Sequence, residues 1–180
     1  MKSILSAVCC VALCCVPALA QSSHKKAAMK AGAAAMTDQQ FVDFAAQTDM
    51  TEANLGQLAA TNASAQAVKD YAQMLVTDHT GDYTQVSTVA GKAGLTVPKG
   101  LDAAHQKMVA PFANLKGAAF DHRYIQEMVA GHTKAIAVYT KESTDATNAD
   151  LKAYASQTLP TLQKHLDGAK DIATPKARSK

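Results

Sequence analysis

The sequence predicts an all-α protein whose main part folds as one antiparallel four-helix bundle. Three observations lead there. Hydrophobic residues make up 48% of the 180 positions but aromatic ones only 5%, with no Trp. Alanine-rich sequence of this kind favours closely packed helices over sheet. Four stretches repeat their apolar residues at intervals of three and four, the period of one helix face. The breaks between them are short except for the one in the middle, and the length suits a single domain with its own core.

The first twenty residues stand apart from the bundle. Lys2, the apolar run from Ile4 to Val16 and the small-x-small triplet Ala18, Leu19, Ala20 predict a signal peptide cut before Gln21. The run is short for a bilayer span. All four cysteines (Cys9, Cys10, Cys14, Cys15) fall inside it, so the mature part is expected to lack disulfides, thiolate metal sites and cysteine nucleophiles. A lipoprotein signal fits poorly, because Val8 and Leu13 rather than small residues precede Cys9 and Cys14. The expectation is a secreted, bacterial periplasmic protein with no transmembrane span in its mature chain. Residues 21–36 show no stable apolar face and read as a flexible lead-in.

Residues 37–173 form the expected bundle domain. Helix one opens on Thr37, Asp38, Gln39 and Gln40, a capping-box pattern, and carries the stripe Phe41, Ala45, Thr48, Glu52, Leu55, Ala59. Asn62, Ala63 and Ser64 make a tight break, with Ser64 read as the cap of helix two. That helix runs from about Ala65 to Ala93 with the stripe Val68, Ala72, Leu75, His79, Tyr83, Val86, Ala90. Gly91 and Gly94 close it, and Val97 to Gly100 is a turn. The connection to Leu115 is longer than an antiparallel pair requires and holds a short helix near Ala103–Val109, interrupted by Pro111. Bundles with one such crossover are of the ferritin-like kind. Helix three spans about Gly117 to Thr144, with Asp121, Ile125, Met128, His132, Ile136 and Tyr139 on its stripe. Helix four carries Leu151, Ala155, Thr158, Leu162, His165, Ala169 and Ile172, and its periodicity continues through Pro160, where a bend is expected. Residues 174–180 read as a basic disordered tail.

Helices two and three share a segment. Tyr71, Gln73, Val76, His79 and Thr80 align without gaps on Tyr124, Gln126, Val129, His132 and Thr133, as two repeated helical hairpins would. Each long helix also places one ionisable residue on its apolar stripe: Glu52, His79, His132 and His165. Their distances from the turns put the first three near one level at 1.5 Å per residue, with His165 less well matched. A carboxylate and three imidazoles at one depth form a candidate metal site, with Asp78 orienting a histidine. The alternative is a metal-free polar network that fixes helix register, Glu52 pairing with His79 and His132 with Asp78 or Asp121. No Glu-x-x-His occurs, since Val76, Val129 and Leu162 stand three residues before the histidines. The set therefore suits zinc, copper or nickel better than oxygen-activating iron. Met50, Met74 and Met128 lie nearby, as a copper site would use or as ordinary packing would.

Other classes are disfavoured. There is no phosphate-cradling glycine loop, zincin helix, nucleophile elbow or calcium loop. The net charge of +3 belongs to the ends: Lys25, Lys26, Lys30, Lys176, Arg178 and Lys180 lie in tails without acids, leaving an acidic body. That argues against nucleic acid and leaves weak contact of the tails with anionic envelope surfaces as the one partner expected.

The order of Thr48 to Gly56 with Glu52, Asp78-His79, Phe120-Asp121 with Tyr124, Met128-Val129 with His132, and Leu159-Pro160 with Leu162, His165 and Leu166 resembles the domain-of-unknown-function 4142 family. The resemblance covers about Gln39 to Ile172. It implies a ferritin-like bundle outside the cytoplasm, among proteins often labelled periplasmic or outer-membrane, and no established activity. Gly131 stands where that family often has an Asp before the helix-three histidine.

Overall fold

A computed structural model describes residues 36–174. The expected signal peptide, the lead-in up to residue 35 and the tail from residue 175 lie outside the described residues. Within them the chain is all-helical, with five α-helices and no strand: α1 Asp38–Asn62, α2 Gln66–Lys92, α3 Ala103–Val109, α4 Gly117–Asp145 and α5 Ala149–Ala173. A 3-10 segment, Ala110–Asn114, follows α3 and holds Pro111 where the missing N–H costs nothing. Among the described residues no helix is long and apolar enough to cross a membrane.

Local signals set the helix ends. Thr37 and Gln40 form a reciprocal capping box at the start of α1. α2 closes in a Schellman motif: Gly94 has φ +70°, Leu95 N donates to Ala90 O and Gly94 N to Gly91 O. Ser64 does not cap α2, contrary to expectation. Its hydroxyl donates to Asp121 Oδ2 at 2.5 Å, and Asp121 accepts the N–H groups of Ser64 and Ala65 at 3.0 and 2.9 Å. Asp38 grips the other short turn in the same way, accepting from Thr147 N and Asn148 N at 3.0 Å each. An acid near the start of each hairpin thus clamps the loop of the other, as a repeated hairpin requires. α5 runs unbroken through exposed Pro160. Its periodicity therefore outweighs the proline, whose lost partner is the carbonyl of exposed Ser156.

α1 packs along α2 and α4 along α5, while α1 also meets α4 and α2 meets α5. The core falls into two apolar halves. One gathers Leu55, Leu75, Phe120, Tyr124 and Met128; the other gathers Phe41, Val86, Tyr139, Leu151 and Tyr154. Following each helix from one half to the other gives its direction. α1 and α5 run one way, and α2 and α4 the other. Because α2 and α4 are parallel, their link must travel the length of the molecule, which is what residues 93–116 do. Two glutamines of α1 hold that strap: Gln39 bonds Thr96 O and N at 2.7 and 3.0 Å, and Gln47 bonds Gly100 O and Asp102 N at 3.0 and 3.1 Å. Gly56 lets α1 and α2 approach, since a Cβ there would lie 2.6 Å from Val76 Cγ2.

Candidate metal centre

On every long helix the ionisable stripe residue lies between the side chains given to the two apolar halves. Glu52 follows Ala45 and precedes Leu55, His79 separates Leu75 from Val86, His132 separates Met128 from Ala135, and His165 separates Leu162 from Ala169. The structure brings all four into one layer. They are 4%, 2%, 0% and 1% exposed, and one ring nitrogen from each histidine lies within 4.8 Å of the others. His79 Nε2 is 2.9 Å and His132 Nε2 3.2 Å from Glu52 Oε2.

The outward nitrogens are all anchored. His79 Nδ1 meets Asp49 Oδ1 at 2.8 Å, His132 Nδ1 meets the Met128 carbonyl at 2.8 Å, and His165 Nε2 meets Asp78 Oδ2 at 2.9 Å. A carbonyl only accepts, so His132 carries its proton on Nδ1 and leaves a lone pair on Nε2. His165, donating to Asp78 through Nε2, leaves its lone pair on Nδ1. The inward atoms are left over: Glu52 Oε2, His79 Nε2, His132 Nε2 and His165 Nδ1 are buried and make no aligned hydrogen bond. His79 Nε2 and Glu52 Oε2 face each other as an ion pair without an aligned hydrogen bond, and the His132 Nε2 lone pair approaches the same oxygen. Buried polar atoms rarely go unsatisfied, and of eight such atoms among the described residues these four converge on one point.

Electrostatics divides the set. Burial disfavours charge at His79, but the Glu52 carboxylate and the bond to Asp49 outweigh it and hold its pKa well above the usual histidine value. Burial would likewise raise Glu52, and the attraction of His79 prevails, keeping the carboxyl below its ordinary range. His132 and His165 are pushed down by burial, His165 to about 4. Asp49 is pushed up to about 7, chiefly by burial and against the bond from His79.

Asp49 belongs to the layer but not to the apolar stripe of α1. It sits one position off the stripe yet three before Glu52, so the two acids share a helix face. That spacing was the available signal. Asp78 reaches His165 rather than His132, and Asp121 serves the α2 cap. Beyond Asp49 a second polar group continues the layer: Tyr154 Oη donates to Asp82 Oδ2 at 2.7 Å and lies 3.1 Å from Tyr139 Oη. Met128 packs in the apolar half beside the layer.

The family model for a domain of unknown function (DUF4142) matches residues 23–172. The chain belongs to this family. No curated protein matches this DUF4142 chain significantly. Among solved structures it is similar to a DUF305 fragment from Deinococcus radiodurans, with TM-score 0.66 and 16% identity over 78% of this chain and 99% of that one. It is also similar to CopM in the Cu(II)-bound form, with TM-score 0.64 and 16% identity over 77% and 97%. The Cu(I)-bound form of CopM gives TM-score 0.61 and 14% identity over 75% and 94%. At such identities the likeness speaks for the fold.

Proposed function

We propose that this protein is a secreted, periplasmic ferritin-like bundle that binds a transition-metal ion through His79, His132, His165 and Glu52, in storage, buffering or stress protection. The carrying observation is the set of four buried inward atoms that lack hydrogen bonds while every outward nitrogen is anchored. Hydrogen bonds to the far ring nitrogen fix the tautomer and rotation of metal-binding histidines. Asp78, Asp49 and the Met128 carbonyl supply one each. A single long crossover between parallel α2 and α4 supports the ferritin-like reading, while the absence of Glu-x-x-His argues against an oxygen-activating di-iron centre. Three imidazoles and one carboxylate suit zinc or cupric ion, and the copper-bound CopM structures favour copper between them.

Untagged protein purified from its host is expected to carry close to one ion per chain by elemental analysis, and metal-stripped protein to regain it from zinc or copper. Metal that stays substoichiometric after soaking in zinc, copper and iron would falsify the reading. The second reading is a metal-free envelope protein whose polar layer fixes packing. The chain Asp49–His79–Glu52 favours it, because the His79 imidazolium neutralises Glu52 without an ion and Asp49, pushed up to about 7, can take up a proton. It predicts one melting temperature with and without metal.

A further inference from the structure

Two grooves reach the histidine layer from opposite sides. The larger, about 570 Å³, lies between α2 and α5 and is lined by Asp78, His79, Asp82, Lys164 and His165, with threonines and glutamines around them. The smaller lies between α1 and α4 and reaches Glu52 among Phe44, Leu55, Met108 and Met128. It also holds Lys134, whose ammonium sits 5.4 Å from the Phe44 ring.

We propose that metal ions enter the centre through the α2–α5 groove, and that the half-exposed carboxylate of Asp78 admits them. This rests on the metal-binding reading above. The side chain of Asp78 is 34% exposed while that of His165, its partner at 2.9 Å, is 1% exposed. One residue thus touches both water and a buried ligand. An arriving cation exchanges its waters for the polar lining and is drawn by Asp78 and Asp82. It then meets His165, whose Nδ1 is buried without a partner. Carboxylates lining a low-dielectric cleft raise the local concentration of cations and speed association, steeply dependent on salt. The second groove carries fewer polar groups, with Glu127, His105 and two threonines among mainly apolar side chains. Its Lys134 is matched by Lys164 in the first, so the route rests on the Asp78–His165 contact that spans surface and interior.

Gly81 and Ala130 permit a matched test. Gly81 lines the first groove, and a Cβ there would meet nothing within 4 Å. Ala130 is exposed and lines the second. Cupric chloride is mixed with metal-stripped full-length protein, and binding is followed by quenching of tyrosine fluorescence at several salt concentrations, with stoichiometry measured separately at equilibrium. Gly81→Lys is expected to melt no lower than wild type, since it removes a helix-interior glycine. It should nevertheless slow association at least tenfold and flatten the salt dependence, at unchanged stoichiometry. Asp78→Asn keeps an acceptor for His165 and should slow association severalfold in the same way. Ala130→Lys should leave the rate as in wild type. Full stoichiometry with a wild-type rate in Gly81→Lys, or slowing in Ala130→Lys alone, overturns the route and leaves the centre standing. A wild type that binds no ion overturns both.

Discussion

His79 and His132 occupy the same place in a repeated ten-residue segment, yet they stand in opposite electrostatic states. His79 lies between two carboxylates, Asp49 at 2.8 Å and Glu52 at 2.9 Å, and is held protonated. His132 shares Glu52 at 3.2 Å, but its other nitrogen meets a backbone carbonyl, and burial keeps it neutral. The difference does not come from the segment itself. It comes from α1, which presents both acids to the first hairpin's histidine and one to the second's. Duplicated sequence thus fixes position and depth, while the helix packed opposite fixes charge.

Removing each histidine in turn should expose this asymmetry most strongly. His79→Leu strands the Asp49 and Glu52 carboxylates in a dry interior without their cation, a change that costs about 3–5 kcal/mol. His132→Leu removes a neutral ring and is expected to cost about 1 kcal/mol or less, as volume-conserving core exchanges do. Urea unfolding of the metal-free proteins measures both. Equal costs would mean that the two imidazoles carry the same charge.

The pH dependence of the metal-free protein should show two limbs. His132 and His165 have depressed pKa values in the fold. Their contribution is complete above the unfolded value near 6.5 and is lost as pH falls, for His165 down to about 4. His79 is raised, so its contribution is complete below about 6.5 and fades as pH rises through its folded value. Asp49, pushed up to about 7, loses stability as pH rises through the acid window and makes the acid limb shallower, while melting temperature should fall on the alkaline side. His79→Leu should move the alkaline-side loss to lower pH, because the Asp49 and Glu52 carboxyls then resist ionisation without their cation, while metal uptake at neutral pH should release close to one proton, that of His79.

These contrasts also show what a sequence can carry. The helices were legible because capping, periodicity and glycine stops are local, and Pro160 was rightly read through because its neighbours kept the stripe. The layer was legible in outline, since Glu52, His79, His132 and His165 each interrupt an apolar face at a similar depth. Partners were less so. Asp78 lies beside His79 in sequence but bonds His165, and Asp121 looks inward on a helical wheel but clamps a loop. Such pairings depend on helix rotation and offset, which a few degrees decide. Asp49 was obscured because α1 presents Thr48, Asp49, Thr51 and Glu52 within five residues, blurring the edge of its apolar face.

A gentler probe acts on Asp49. Asp49→Asn keeps an oxygen for the His79 Nδ1 proton but removes the charge. Stability should change by about 1 kcal/mol, the scale of one hydrogen bond, and the His79 titration followed by NMR should move to lower pH. If it does not move, Glu52 alone sets the charge of His79.

The smallest effect is expected where the repeat itself departs, at Gly131, the counterpart of Asp78. Gly131→Ala gains about 1 kcal/mol of helix propensity, but its Cβ would lie 3.3 Å from Glu52 Oε1, so the carboxylate must yield by a few tenths of an ångström. The two effects oppose each other, and melting should shift by only a degree or two. Metal affinity should fall by less than tenfold, because Glu52 is displaced while the three imidazoles keep their anchors. A larger loss would assign Glu52 a greater share of the ion than the histidines hold. No change would show that the carboxylate balances charge without coordinating.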